Sequence, residues 1–96
     1  MFQGSLFQST SLSVGEITRY LRELLDSDEI LRDVWVSGEV SNPSYPASGH
    51  LYFTLKDQTS ALKCVMWKPQ VLRLRFTLQA GMALEAHGAI SVYEQG

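Results

Sequence analysis

The chain has 96 residues, 45% of them apolar and 10% aromatic, which suits one small folded domain and excludes a disordered tail. Eight Lys and Arg stand against ten Asp and Glu, formally −2, so bulk charge points neither to nucleic acid nor to a membrane surface. A single cysteine, Cys64, rules out an internal disulfide and a Cys-rich zinc site, and no apolar run approaches the roughly 20 residues that span a bilayer.

Met1 to Leu12 is a polar lead-in rich in Ser and Gln, read as a flexible arm. It lacks the basic start and continuous apolar stretch of a signal peptide. Ser13 and Glu16 then have capping-box spacing, which predicts a helix start. Val14, Ile17, Tyr20, Leu21, Leu24 and Leu25 recur at three- and four-residue intervals and form one apolar stripe. In a domain this small the stripe is expected to serve the core, at one end of the sheet; the alternative is docking of another chain. Ser27 to Asp33 is an acidic connector with Ile30 and Leu31 expected to face inward.

From Val34 the period changes to two. Val34, Val36, Gly38 and Val40 alternate with Trp35, Ser37, Glu39 and Ser41, a first strand. Residues 42–49, dense in Pro, Ser, Asn and Gly, predict a loop. His50 to Lys56 predicts a second strand, with Tyr52, Thr54 and Lys56 on its outward face. Asp57 to Ser60 is a turn. Ala61 to Lys68 predicts a third strand, with Lys63, Val65 and Trp67 outward and Leu62, Cys64 and Met66 inward. Pro69 opens a short helix over Gln70 to Phe76. Met82 to Tyr93 predicts a long fourth strand with a bend at Gly88.

Helix, three strands, short helix and one further strand make a mainly β fold. It is most of an OB-fold, a five-stranded Greek-key barrel, here incomplete because a fifth strand is lacking. Residues 1–12 are then an arm and 13–96 a truncated nucleic-acid-binding domain, a piece of a longer protein. An open barrel leaves strand edges unpaired, so this chain is expected to form a homodimer by strand pairing or swapping.

OB-folds bind oligonucleotides on their second and third strands and on the loops between strands one and two and strands four and five. Here the loops bring Tyr45, His50 and Tyr93. Trp35, Tyr52 and Trp67 are large rings on the predicted outward face, suited to stacking on bases, each stack worth on the order of 1–3 kcal/mol. Trp35 is equally compatible with a place beneath the N-terminal helix, and Tyr52 and Trp67 with filling the gap of the missing strand. Charge favours the binding face: residues 56–75 hold five cations and one anion, Lys56, Lys63, Lys68, Arg73 and Arg75 against Asp57. The nucleic-acid-binding candidates are thus Trp35, Tyr52, Lys56, Lys63, Trp67 and Lys68. His50 and His87 lack a ligand set, Cys64 falls inward, and no Gly-rich phosphate loop occurs, so no catalytic residue, metal or cofactor is expected.

Four blocks carry a resemblance. They are Leu12–Tyr20 (LSVGEITRY), Val34–Asn42 (VWVSGEVSN), Ser48–Asp57 (SGHLYFTLKD) and Cys64–Trp67 (CVMW). Together they resemble the N-terminal domain of the exodeoxyribonuclease VII large-subunit family, from about Leu12 to Glu94. The resemblance implies a cytoplasmic nuclease that degrades single-stranded DNA to oligonucleotides from either end, assembled with a small helical subunit through parts absent here. It implies that this domain binds single-stranded DNA while the hydrolytic residues lie in later domains. Family members often carry basic residues after the Ser-Asn pair; Pro43 to Ala47 has none. The competing readings are an OB-fold module for single-stranded RNA or tRNA, and a subunit-interaction domain.

Overall fold

A computed structural model describes residues 11–92. Expectations that fall on residues 1–10 and on Tyr93, including most of the arm, lie outside them. The chain forms two compact units, one of residues up to Val34 together with those from Gly88, the other Trp35–His87.

The first unit holds helix α1, Val14–Ser27. The expected capping box is present: Glu16 N–H donates to Ser13 Oγ at 3.0 Å and Ser13 N–H to Glu16 Oε1 at 3.1 Å. At the other end Asp28 N–H donates to Leu25 C=O at 3.2 Å. None of the α1 residues is buried, and Ile17, Tyr20, Leu21 and Leu24 stay exposed. Ile30, expected inward, is 72% exposed; the Asp28 carboxylate accepts the N–H groups of Ile30 and Leu31 and turns the connector outward there. Ile90 N–H donates to Leu31 C=O at 2.8 Å, and an Arg22 guanidinium nitrogen lies 3.4 Å from Val92 C=O.

The second unit carries a four-stranded sheet in the order β3-β2-β1-β4, with β1 Val34–Ser44, β2 Leu51–Lys56, β3 Ala61–Met66 and β4 Ala83–Gly88. β2 lies antiparallel to both β1 and β3. The sheet is not closed into a barrel, and β3 and β4 are its outer strands. This is the expected incomplete OB-fold architecture.

The core follows the period-two pattern. Val40 from β1 and Leu51, Phe53 and Leu55 from β2 are buried together with Leu78. Val36, Cys64, Met66, Val71, Leu74, Met82, Leu84 and Ala86 pack around them. β2 alternates buried with more accessible residues along its whole length because its successive side chains point to opposite faces of the sheet and one face carries the core. Gly38 is required by close approach: a Cβ there would sit 2.8 Å from Leu55 Cγ and 2.9 Å from Lys56 C=O.

Several boundaries differ from expectation, each for a local reason. β1 runs on through Asn42-Pro43-Ser44, read above as loop. Ser41 pairs Thr54 but Ser44 pairs Tyr52, so β1 carries one extra residue, a bulge. Asn42 takes φ 53°, which its short polar side chain tolerates, and Pro43 sits where no ladder donor is needed. β3 stops at Met66 because Trp67 becomes the extended cap of α2, Lys68–Val71. That helix is shorter than expected. Arg73 N–H donates to Gln70 C=O and Leu74 N–H to Val71 C=O, tighter i to i+3 turns that send Val71 and Leu74 to the core. β4 ends at Gly88 rather than bending there, and the chain then bonds to Leu31 through Ile90.

Candidate nucleic-acid interface

The register between β2 and β3 fixes which outward side chains are neighbours. Tyr52 lies opposite Val65, Thr54 opposite Lys63 and Lys56 opposite Ala61. On the other side of β2, Ser41 lies opposite Thr54 and Glu39 opposite Lys56. Tyr52, Lys56 and Lys63 therefore share one exposed face, as expected. Tyr52 is 43% exposed, so a good part of its surface is open to a base.

Trp67 and Lys68 extend that face past the end of β3. Leu51 is opposite Met66, so the same register continued outward sets His50 against Trp67 and Gly49 against Lys68. The side chains follow it. The rings of His50 and Trp67 meet edge to face with centroids 5.1 Å apart. Lys68 N–H donates to His50 Nδ1 at 3.0 Å. Gly49 has φ +90°, and a Cβ on it would lie 2.9 Å from Lys68 Cδ, so the Lys68 stem runs over bare backbone. Trp67 remains 55% exposed.

Trp35 stands on the outward face of β1 and is 63% exposed. It does not, however, join Tyr52 and Trp67. Tyr52 pairs with Ser44, and Trp35 lies nine residues back along β1, about 30 Å of strand. Its partner is His87 on β4, stacked with centroids 4.4 Å apart and planes at 9°. The structure thus divides the expected single array into two aromatic corners, with Lys56 and Lys63 in the ladder between them.

Glu39 is the one acidic neighbour in that ladder, but its Oε1 lies 4.0 Å from the point where a Gly81 Cβ would be, on the side away from Lys56. The β2–β3 turn is held by Asp57. Its Oδ1 accepts the N–H groups of Thr59 and Ser60, each at 2.9 Å, and the Thr59 hydroxyl at 3.2 Å. These donors, the Thr59 and Ser60 N–H groups first, lower the pKa of the Asp57 carboxyl below its ordinary value.

Tyr45 and Cys64 both hold to the core. Tyr45 is a brace: its hydroxyl accepts Leu78 N–H at 2.8 Å and holds that buried leucine. Cys64 is half-buried against the core, and desolvation raises its thiol pKa, the environment of an unreactive cysteine. Among the described residues no group of three or more His, Cys, Asp or Glu is placed to hold a metal. No described helix is long and apolar enough to cross a membrane.

His50, expected beside the loop after β1, lies next to the face, and His87 on β4 sits against Trp35. The signal for the place of His50 was present, because the parity of β2 puts it outward with Tyr52, and the β2–β3 register puts it across from Trp67.

Residues 12–96 match the family model described as an OB-fold nucleic acid binding domain. The chain belongs to that family. It is also similar to proteins named exodeoxyribonuclease 7 large subunit. The one from Caldanaerobacter subterraneus subsp. tengcongensis is 49% identical over 89 residues, 93% of this chain and 22% of that protein. The one from Thermoanaerobacter sp. strain X514 is 50% identical, and the one from Alkaliphilus oremlandii 44%, each over 92% of this chain and 22% of the relative. The chain therefore spans about a fifth of the length of these relatives.

Proposed function

We propose that residues 13–96 form a domain that binds single-stranded DNA across the outward face of β2 and β3, with residues 1–12 as an arm. Tyr52 and Trp67 stack on bases, while Lys56, Lys63 and Lys68 contact phosphates. Trp35 with His87 offers a second stacking point further along. The observation that carries this reading is the exposure of Tyr52 and Trp67, 43% and 55%, on the face that also presents the lysines.

The similarity to exodeoxyribonuclease 7 large subunits supports a place in such an enzyme. In that protein the domain holds and feeds a single strand that residues outside these 96 hydrolyse to oligonucleotides from either end. The domain itself binds without cutting. A small helical subunit joins through other parts of the large subunit, in the cytoplasm. The outer strands β3 and β4 support pairing of this 96-residue chain with a second copy.

Titration of the tryptophan fluorescence with single-stranded oligothymidylate at two salt concentrations tests the binding face. Quenching is expected. Affinity should fall with salt at a log–log slope of about 0.7 per phosphate contact, so about two for three lysines. Tighter binding of an RNA of equal sequence would move the reading to an RNA module. No binding to either would overturn it and leave the exposed α1 stripe as the surface to explain.

A further inference from the structure

The strand pairing of β2 and β3 stops at Leu51 and Met66, yet the two stretches of backbone stay in register for two more positions through side chains. We propose that His50 is a positioning residue for nucleic-acid binding: its Nδ1 stands in for a ladder acceptor and fixes Trp67 and Lys68 at the edge of the binding face. The proposal rests on the reading that Trp67 and Lys68 contact the strand.

Three observations converge. The imidazole accepts Lys68 N–H at 3.0 Å, which ties the backbone of the residue that follows Trp67. The same ring meets the Trp67 indole edge to face, which limits the rotamers open to the indole. Gly49, next to His50, leaves room for the Lys68 stem to cross the backbone, where any Cβ would meet Lys68 Cδ at 2.9 Å. One short segment of β2 therefore sets a stacking ring by contact, a backbone by hydrogen bond and a cation by an absent side chain. An Nδ1 that accepts carries no proton, so the ring proton is on Nε2. The Trp67 cap of α2 has no side-chain hydrogen bond of its own, so nothing else of that kind fixes its start. Preordering matters because each free side chain that a ligand must immobilise subtracts from affinity.

Two variants separate the parts of this role. His50→Phe keeps an aromatic ring beside Trp67 and removes the acceptor. His50→Asn removes the ring and offers an oxygen near the place of Nδ1. Affinity for a labelled oligothymidylate of about 15 nucleotides is read by anisotropy, and protection of the Lys68 amide by hydrogen exchange. His50→Phe is expected to lose Lys68 protection and bind about three- to tenfold more weakly, the worth of one hydrogen bond. His50→Asn is expected to recover most of both. Equal loss in the two variants would overturn the acceptor role, as would wild-type affinity in a folded His50→Phe. Should His50→Phe fail to fold, His50→Asn decides: protected Lys68 with affinity within about twofold of wild type supports the proposal, and loss of either overturns it. Trp67→Ala and Lys68→Ala are measured alongside. If they bind like wild type, the binding-face reading has failed, whatever His50 does; if they lose affinity and His50→Phe does not, only the positioning role has failed.

Discussion

The two aromatic corners of the sheet use the same pair of residue types in opposite ways. Trp35 and His87 lie flat on one another, 4.4 Å apart, and each ring occupies one face of the other. Trp67 and His50 meet at 88°, and the imidazole is tied by a backbone hydrogen bond. The Trp35 corner joins β1 to β4. The Trp67 corner is built into the end of a strand ladder, with Tyr52 one outward position further along β2. Trp67 is braced by an imidazole that is itself tied to the backbone, and a braced ring costs less to order on binding. The Trp67 corner is therefore where binding energy should concentrate.

That contrast can be broken by substitution. The largest effect is expected from Tyr52→Ala with Trp67→Ala, which removes two stacks worth about 1–3 kcal/mol each. Trp35→Ala should cost no more than one. Equal losses, measured by anisotropy on folded proteins, would show that the two corners bind alike. Next comes Tyr45→Phe. It leaves the N–H of buried Leu78 without its acceptor and should lower stability by about 1–3 kcal/mol in urea melts. DNA affinity should stay unchanged, because this tyrosine braces the core and belongs to neither corner. The smallest effect is expected at the β2–β3 turn. The Asp57 carboxyl has a lowered pKa in the fold, so its stabilisation is present above the ordinary aspartate range and is lost as pH falls through the lowered value. Thermal melts in acid should therefore show a shallower pH dependence for Asp57→Asn than for wild type, and identical slopes would remove Asp57 from the turn's energetics.

Much of the sheet was legible from residue order because inward and outward positions alternate from Leu51 to Lys56 and over Cys64 to Met66, although Leu62, expected inward, stays exposed at the start of β3. Capping was legible because Ser13 and Glu16 act over three residues. What escaped depends on partners far apart in the chain. The bulge that carries β1 through Pro43 is visible only against Tyr52 and Thr54. Leu78 enters the core because Tyr45, 33 residues earlier, holds its backbone. Trp35 and Tyr52 look like one array in a list of outward residues, and only the β1–β2 register separates them. The α1 stripe had the periodicity of a core helix, and periodicity does not say what, if anything, covers it.

The bond from Ile90 to Leu31 brings the chain leaving the sheet back to the chain that approaches it. Everything between is one excursion that starts and finishes at a single clasp. Such a segment is suited to transplantation: spliced into a surface loop of an unrelated host, residues 31–90 would need almost no linker to bridge the junction. A tug on both flanks would strain the clasp before it reached any strand.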